Sequence, residues 1–249
     1  MIRNILKISD LNVTFRGPSE EFTAVDNFSL EIKKGETIAI VGESGSGKST
    51  TALSILGLLP YPIAHHNKGS IKFKNTELLN ADSKKLQKYR GSKIGMIFQE
   101  PMMSLNPLHT VNKQIQESIL IHNKTPLNTL KKRVLELINL VGLNDSEKYL
   151  YSYPHQLSGG QRQRVMIAIA IANNPDLLIA DEPTTALDVT IQIQILQLLK
   201  KIQRKLGMSI LLITHDLGIV KFMAKNVYIM YKAKLVEFGK VKNVLSTPQ

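Results

Sequence analysis

The chain contains no cysteine among its 249 residues. Without thiols, disulfide bridges, iron–sulfur clusters and thiolate zinc sites are excluded within this segment. Long apolar runs are also missing, because no stretch approaches the roughly 20 residues that a helix needs to cross a bilayer. We therefore expect any role at a membrane to depend on partner chains.

The composition is that of a folded chain with an excess of basic residues. Hydrophobic residues make up 43% of the chain and charged residues 21%, which provides enough apolar material for a core. The formal net charge of +12 permits attraction to nucleic acid or to an anionic membrane face. Because the lysines are spread along the chain, we favour the alternative of a solvated, lysine-rich surface.

Short apolar strands alternate with helical patterns over most of the chain. Strands are predicted at 6–15, 28–32, 37–41, 70–73, 94–98, 177–181, 209–214, 227–230 and 234–237. Helices are predicted at 161–172, 189–206 and 216–224, together with one that begins near Ser49 and runs to Leu59, where Pro60 stops it. This alternation indicates an α/β fold with a mainly parallel sheet that binds ligands at the carboxyl ends of its strands.

The stretch between residues 101 and 158 has a different character. Helical spacing predicts helices at 113–122 and 127–141, and the second has one apolar face. We interpret this stretch as a helical insertion within the α/β pattern.

One segment has the sequence of a phosphate-binding loop. Gly42-Glu43-Ser44-Gly45-Ser46-Gly47-Lys48-Ser49 matches G-x-x-x-x-G-K-S/T and lies between a predicted buried strand and a predicted helix. Its glycines let successive N–H groups form an anion nest, to which the helix adds its positive end. Lys48 is expected to reach the β- and γ-phosphates, and the Ser49 hydroxyl to ligate Mg²⁺. The motif by itself does not separate kinases, GTPases and transporters.

Two adjacent carboxylates, Asp181 and Glu182, end the predicted strand 177–181. Side chains alternate along a strand, so neighbouring acids at its end can take different tasks. We expect Asp181 to hold Mg²⁺ through water and Glu182 to act as the general base that polarises water against the γ-phosphate. A turn with exposed acids is the alternative.

Two further polar residues follow predicted strands. His215 comes after 209–214, where it can contact the γ-phosphate and hold the base and the water in line. Gln99 follows 94–98 and is a candidate Mg²⁺ ligand that links the core to the insertion. A lone histidine is usually structural, but its place in a chain with two other phosphate motifs favours the functional interpretation.

A second anion site is predicted at Ser158-Gly159-Gly160-Gln161, at the beginning of a helix. It lies far along the chain from the phosphate loop. Such a site on the insertion would have a function if it binds the phosphates of a nucleotide that another copy of the domain holds.

In combination, these motifs resemble the nucleotide-binding domain of ABC transporters across essentially the whole chain. In order they are the Walker A loop from Gly42 to Thr50, the Q-loop at Gln99, the LSGGQ signature at 157–161, Walker B at 177–182, the D-loop at Ala186-Leu187-Asp188 and the switch His215. The resemblance implies a P-loop NTPase (RecA-like) core with a mainly parallel sheet, an N-terminal antiparallel β region and an inserted helical subdomain. It also implies one domain over 1–249, with the nucleotide-binding core at 1–99 and 159–249 and the helical insertion at 100–158.

The same resemblance implies ATP and Mg²⁺ as cofactors and head-to-tail pairing with a second ABC ATPase domain. Each ATP is then held between one Walker A loop and the other domain's Ser158-to-Gln161 segment, with Asp188 in the binding set. Phe15 is implied to stack on adenine, a position where many family members have tyrosine. Plain core packing of Phe15 is the alternative.

Four segments resemble the peptide/nickel importer ATPases, namely 95–101, 104–107, 153–156 and 182–188. Within that group, 105–110 and 195–199 resemble the first half of the fused ATPases of microcin C-type peptide transporters. This implies two permease subunits docked near 99–108, a substrate-binding protein, and a peripheral position on the cytoplasmic face of the inner membrane. Met102 and Met103 are expected either to fill core gaps or to line a groove for a permease helix. Because relatives typically continue beyond Gln249, we expect a short version or a piece of a longer protein.

Two alternatives remain open at this point. A non-transport ABC ATPase acting on nucleic acid or ribosomes is permitted by the net charge, but the inserted coiled coils, zinc modules and charged linkers of such relatives are not seen in this segment. We therefore expect no nucleic acid partner. An ABC exporter ATPase is the other alternative. The cargo is not predictable, since permeases and binding proteins select it in this architecture.

Overall fold

The structure is a computed structural model that describes residues 4–17, 20–99 and 104–246. The predictions made for Met102 and Met103, and for Glu100 and Pro101 in the importer-like segment, lie outside these residues. Within the described ranges, no helix combines the length and the apolarity that crossing a bilayer requires.

Eleven strands form one mixed sheet in the described part of the chain. They are β1 (Asn4–Arg16), β2 (Glu21–Lys33), β3 (Thr37–Gly42), β4 (Ala64–His65), β5 (Ser70–Phe73), β6 (Thr76–Glu77), β7 (Ile94–Ile97), β8 (Leu177–Asp181), β9 (Ser209–Thr214), β10 (Asn226–Tyr231) and β11 (Lys234–Lys240). Their spatial order is β6-β5-β1-β2-β11-β10-β3-β9-β8-β7, with β4 paired to β1 beside this path.

Helices connect many of these strands, and four of the described helices follow one another between β7 and β8. The described helices are α1 (Lys48–Leu56), α2 (Ser83–Gln87), α3 (Val111–Leu120), α4 (Leu127–Leu140), α5 (Ser146–Tyr151), α6 (Gly159–Ala170), α7 (Val189–Leu206), α8 (Leu217–Met223) and α9 (Val241–Ser246), with a 3₁₀ turn at Pro154–Gln156.

The strands β10, β3, β9, β8 and β7 run parallel to one another and form the centre of the sheet. Every residue of β8 and β9 is buried, as expected for parallel strands covered by helices on both faces. The carboxyl ends of these strands meet at one edge, where Asp181 pairs with Ile213 and Val41 pairs with Thr214. This edge is where a ligand site is expected in such a sheet.

Two hydrophobic cores cover the two faces of the sheet. On one face, α1 and the antiparallel strands β1, β2 and β5 surround Ile55, Phe28 and Phe73. On the other face, α3, α4, α6 and α7 share a core with β8 and β9. The predicted α/β fold, with an N-terminal antiparallel region and helices inserted between β7 and β8, is therefore confirmed.

Two arginines join the inserted helices to the rest of the chain. The Arg133 guanidinium donates to the Ala172 carbonyl oxygen just beyond α6, over 3.1 Å. The Arg164 guanidinium on α6 donates to the Val141 carbonyl oxygen at the end of α4, over 2.7 Å. Both arginines satisfy carbonyl groups that a helix end leaves without partners, so the insertion is fixed by polar as well as apolar contacts.

The predicted end of the first helix is wrong. α1 ends at Leu56 because Gly57 adopts a left-handed conformation with φ 59°, well before Pro60. The Gly57 and Leu58 N–H groups donate back to the carbonyl oxygens of Ser54 and Leu53. A glycine in this conformation is a common helix terminator, and it acts here before any proline can. The short helices α2, α5 and α9 were not predicted, since each is only five or six residues long.

Candidate functional site

The predicted phosphate loop connects β3 to α1 and is tightly enclosed by neighbouring backbone. Gly47 caps α1 with φ 100°, and a Cβ atom there would lie 2.3 Å from the Ala24 carbonyl oxygen of β2. A Cβ atom on Gly42 would lie 2.2 Å from the Met230 carbonyl oxygen of β10. Only glycine fits these two positions, so the strands on either side fix the path of the loop.

Lys48 begins α1 and is buried, with 6% of its surface exposed. Its ammonium group donates to the carbonyl oxygens of Gly42, over 2.8 Å, and Glu43, over 2.7 Å. Burial lowers the pKa of Lys48, while the charges of Glu182 and Asp181 oppose this shift. A cation held in this way inside a loop of N–H groups is suited to bind phosphate oxygens.

Asp181 ends β8 on the α1 side of the sheet, because Leu177 and Ile179 face the same core as α1. Its buried carboxylate accepts a hydrogen bond from the Ser49 side chain, while its Oδ1 atom has no partner among the described residues. Burial raises the pKa of Asp181, a shift that the Ser49 hydrogen bond and Lys48 oppose and Glu182 reinforces. A buried carboxylate oxygen without a partner beside a hydroxyl is a suitable site for a hard divalent cation such as Mg²⁺.

Glu182 follows directly and takes up a left-handed backbone conformation with φ 46°. Its N–H donates to the Ile213 carbonyl oxygen of β9, over 2.9 Å. This conformation is unusual for a residue other than glycine and is concentrated at functional sites.

Three side chains surround the Glu182 carboxylate. Oε2 accepts from Gln99 Nε2 over 3.3 Å and from the Thr185 hydroxyl over 2.8 Å. Oε1 lies 3.2 Å from Nδ1 of His215. Glu182 is mostly covered, with 14% of its side chain exposed, whereas His215 has 64% exposed. The cluster thus places a carboxylate where it can take a proton from a water molecule, with an accessible imidazole next to it.

Thr185 was missed by the sequence predictions. A hydroxyl three residues after a candidate base can donate back to it when the chain turns, and the Glu182-to-Leu187 segment does turn in this way. The Thr185 N–H also donates to the Glu182 carbonyl oxygen, over 3.2 Å.

The predicted second anion site lies at the beginning of α6. Ser158 caps this helix, its hydroxyl accepting from the Gln161 N–H over 3.3 Å, while Gln161 Oε1 accepts from the Ser158 N–H over 2.9 Å. Gln161 also donates to the Tyr149 hydroxyl, over 3.0 Å. This capping box fixes the exposed glycine turn, so Gln161 acts here mainly as a structural support.

This turn packs against the D-loop and against the beginning of α7. A Cβ atom on Gly160 would lie 2.7 Å from Ile191 Cγ2, and one on Gly159 would lie 3.4 Å from Leu187 Cδ2. Asp188 caps α7 by accepting from the Ile191 N–H over 2.9 Å. In the hydrogen bonds of the described ranges, none joins the Ser158-to-Gln161 turn to the phosphate loop. The phosphate loop, Asp181, Glu182, Gln99 and His215 therefore lie together at the carboxyl ends of the central strands. The Ser158-to-Gln161 turn lies apart from this cluster.

A buried glutamine connects the Ser158 turn to the cluster around Glu182. The sequence predictions missed it as well. Gln163 Nε2 on α6 donates to the Pro183 carbonyl oxygen, over 2.6 Å. Pro183 follows the candidate base directly. The helix that begins with the Ser158 turn is thus bonded to the segment that carries Glu182.

Phe15 lies near the end of β1, away from the Glu182 cluster. It pairs with Phe22 on β2 and with Ala64 on β4. Its ring is partly buried and packs against the core that contains α1. Core packing therefore accounts for part of its surface, and its predicted contact with adenine stays a prediction.

Comparison with known families and structures gives consistent matches. A family model described as "ABC transporter" matches residues 25–185. A peptidoglycan transport ATP-binding protein, YejF of Agrobacterium fabrum, is 54% identical over 98% of this chain. The oligopeptide and dipeptide transport ATP-binding proteins OppD and DppD of Bacillus subtilis are 48% and 49% identical over the whole chain. The chain spans 45% of the length of YejF, 69% of OppD and 74% of DppD.

Two solved structures share the fold over nearly their full length. The dimeric ATP-binding cassette MJ0796, in a post-hydrolysis state with ADP and Pi, superposes with a TM-score of 0.84 at 33% identity, covering 95% of this chain and 98% of its own. CbiO1 of Clostridium perfringens, part of a transporter complex, gives a TM-score of 0.83 at 32% identity, covering 98% of this chain and 91% of its own.

Proposed function

Because this chain belongs to the ABC transporter family, we propose that it hydrolyses ATP to drive the import of peptides through partner permeases. The observation that carries this proposal is the cluster at the carboxyl ends of β8 and β9. There, Glu182 is held by Gln99, Thr185 and His215 beside the buried Lys48 and Asp181.

Each part of the cluster has a task in ATP hydrolysis. The loop from Gly42 to Thr50 and the Lys48 ammonium hold the triphosphate. Glu182 orients water and accepts its proton, and His215 keeps the carboxylate in place while facing the γ-phosphate. Because His215 is largely exposed, it can reach a phosphate without displacing buried groups.

Ser49, Asp181 and Gln99 are the residues that would hold Mg²⁺. Their hydroxyl, carboxylate and amide oxygens are the ligand types that this cation prefers, and the Oδ1 atom of Asp181 lacks another partner in the described ranges. When bound, Mg²⁺ neutralises charge on the phosphate oxygens.

A second ABC ATPase domain completes the site in this proposal. The Ser158-to-Gln161 turn lies at the N-terminus of α6, where the Gly159 and Gly160 N–H groups, which the capping box does not use, can bind phosphate held by another domain. Asp188 lies next to this turn and belongs to the same contact. The partner is a second copy, a related subunit or a fused second half. The dimeric state of the cassette MJ0796 supports such pairing.

The peptide cargo is proposed from the relatives. Those named as oligopeptide and dipeptide transport ATP-binding proteins match the chain over its whole length. Two permeases, a substrate-binding protein and a peripheral position on the cytoplasmic face of the membrane follow from that assignment. A cleft of about 1020 Å³ opens between the core and the inserted helices and is lined by Phe98, Ile121 and Arg90, among others, which suits a docked permease segment. In this proposal the core comprises 1–99 and 159–249, and the insertion 100–158.

The Glu182→Gln variant tests the catalytic part of the proposal. It removes the proton acceptor but keeps the shape, so ATP should bind with unchanged affinity while steady-state hydrolysis falls about 10²- to 10⁴-fold. Glu237→Gln on β11 is the matched control and should turn over normally. Unchanged hydrolysis in Glu182→Gln would contradict the assignment of the base.

The transport part is tested separately. The coding sequences beside that of this chain should include two permeases and a substrate-binding protein, and their co-reconstitution should give peptide uptake that depends on ATP. Binding of duplex DNA or RNA at physiological salt, without permease genes nearby, would favour a non-transport ABC ATPase instead.

A further inference from the structure

The buried side chain of Gln163 on α6 contacts the residue that follows the candidate base. Its Nε2 atom donates to the Pro183 carbonyl oxygen over 2.6 Å, and only 2% of Gln163 is exposed. We propose that Gln163 is a positioning residue for ATP hydrolysis, which keeps Glu182 aligned by holding the backbone beside it. This inference rests on the proposed function and ties the orientation of the base to the helix that begins with the Ser158 turn.

The polarity of this contact follows from the chemistry of the two groups. Proline has no backbone N–H, so the carbonyl oxygen of Pro183 is its one hydrogen-bonding group and can only accept. The Gln163 atom that faces it must therefore be the amide nitrogen. Because both residues are buried, a side chain without a donor at position 163 would leave a buried carbonyl oxygen poorly satisfied.

The backbone on either side of Pro183 is held in an unfavourable conformation. Glu182 and Ala186 both have positive φ angles, of 46° and 63°, which are costly for residues other than glycine. Such conformations persist where surrounding contacts fix them. Here the Glu182 N–H is fixed by the Ile213 carbonyl oxygen of β9, over 2.9 Å, and the next residue is fixed by Gln163. The backbone of the base is thus held by two different elements of the fold.

A second glutamine supports the same turn from α7. Gln192 Nε2 donates to the Thr184 hydroxyl over 3.2 Å. This bond is longer than that of Gln163 and ends on a side chain. It therefore does not replace a bond to the peptide group next to the base.

The helix that carries Gln163 is itself fixed near both ends. The Ser158 capping box closes its first turn. At its last residue, the Ala170 carbonyl oxygen lies 2.2 Å from the position that a Cβ atom on Gly95 of β7 would occupy, so helix and strand are in close contact. α6 is thus a fixed frame from which Gln163 can hold Pro183.

The test compares steady-state ATP hydrolysis by the parent chain, Gln163→Met and Gln163→Asn, each with Mg²⁺. Methionine keeps the unbranched shape but lacks the donor, while asparagine keeps the amide but is one methylene shorter. Both changes should lower kcat about 10- to 100-fold, because a small misplacement of a catalytic group costs this much. KM should stay within about twofold, since the phosphate loop is untouched.

Gln114→Met is the matched control. Gln114 is also a buried glutamine whose Nε2 atom donates to backbone carbonyl oxygens, those of Asn106 over 3.2 Å and His109 over 2.9 Å. It lies on α3 in the insertion. Its replacement removes the same kind of bond elsewhere, so kcat should remain within about twofold of the parent.

A second measurement asks whether Gln163 acts through the base. Glu182→Gln already lacks the proton acceptor, so adding Gln163→Met should lower its residual turnover by less than about twofold. Titration of ATP and Mg²⁺ into both Glu182→Gln chains should give equal affinities, which also shows that the added change leaves the chain folded. A further tenfold loss of turnover in this background would overturn the proposal.

The outcomes separate this inference from the proposed function. If the parent does not bind ATP, or if Glu182→Gln turns over as fast as the parent, the proposed function fails. If only Glu182→Gln is impaired and both Gln163 variants match the parent, only the positioning role fails. A raised KM at unchanged kcat would place Gln163 in nucleotide binding and contradict this role. Should one Gln163 variant fail to bind ATP, the other decides, and failure of both would show that Gln163 supports the fold instead.

Discussion

Nδ1 of His215 lies 3.2 Å from Oε1 of Glu182, across two neighbouring parallel strands. The two residues meet because β8 and β9 end at the same level, with Asp181 paired to Ile213. Gln99 and Thr185 bond to the other carboxylate oxygen, so each oxygen of Glu182 has its own partners. Orientation of the candidate base is therefore shared among three side chains from different parts of the chain.

His215→Ala should lower steady-state ATP hydrolysis about 100-fold, because the carboxylate loses the partner on its Oε1 atom. The same change made in Glu182→Gln should cost little more, since residues that act as one unit lose their effect together. The measurement is the turnover of both single variants and the double variant, with His122→Ala, just beyond the end of α3, as a control. If the fold-losses in turnover of the two single variants multiply in the double variant, a joint role of His215 and Glu182 is contradicted.

Gly47→Ala should strongly destabilise the chain, because the added Cβ meets the Ala24 carbonyl oxygen at a residue with φ 100°. Gly35→Ala is a matched control, since Gly35 has φ 73° with no atom within 4 Å of the added Cβ. We expect about 1 kcal/mol for Gly35→Ala, from backbone strain alone, and at least about 3 kcal/mol for Gly47→Ala. Urea unfolding measures both, and equal losses would show that the close contact does not matter.

Asp181→Asn should stabilise the chain in the absence of nucleotide and Mg²⁺ while abolishing hydrolysis. Burial raises the pKa of Asp181 above its ordinary value of 3.8, so the folded chain binds a proton more tightly than the unfolded chain. The native protein therefore loses stability as pH rises from about 3.8 through the raised pKa, and the asparagine variant escapes this loss.

The corresponding measurement is thermal unfolding from pH 4 to pH 8, without Mg²⁺. The advantage of Asp181→Asn in Tm should be small at the acid end and grow towards neutrality, as the native carboxylate loses its proton. Adding ATP with Mg²⁺ should stabilise the parent more than the variant. A variant that is less stable than the parent at every pH would contradict the penalty for burying the charge.

Gly159→Asp should abolish hydrolysis without unfolding the chain. Gly159 is exposed in the first turn of α6, where a carboxylate suits the helix dipole but repels a triphosphate. If a second copy completes the site, mixing this variant with Lys48→Ala should restore hydrolysis, because one site in each mixed pair then has an intact loop and an intact turn. The measurement is turnover of the mixture against each variant alone. No recovery at any concentration would indicate that the partner is a different domain.

The central strands could be predicted from the sequence because burial on both faces leaves a simple pattern. Leu177–Asp181 and Ser209–Thr214 are continuous apolar runs that end in polar residues, and both were predicted with the correct bounds. Val189–Leu206 was equally clear, since Asp188 caps its beginning and Gly207 its end. In these elements the local sequence pattern and the burial in the folded chain indicate the same secondary structure.

Other features depend on contacts between distant residues and could not be predicted. The bond from Gln163 to Pro183 requires α6 to lie against the end of β8. The left-handed conformation of Glu182 is set by the Ile213 carbonyl oxygen on the adjacent strand, and no local pattern marks it. The residue types of the candidate site were thus predictable, whereas the positions of its supporting groups were not.

The phosphate loop compensates the buried charge of Lys48 through its own carbonyl oxygens. An ammonium group has three donors, and two of them are already engaged by the Gly42 and Glu43 carbonyl oxygens. One proton is left for a phosphate oxygen, so a phosphate can arrive or depart without either internal bond breaking. In the proposed catalytic cycle these two bonds would keep the buried charge compensated, and product release would not require the loop to rearrange around a bare cation.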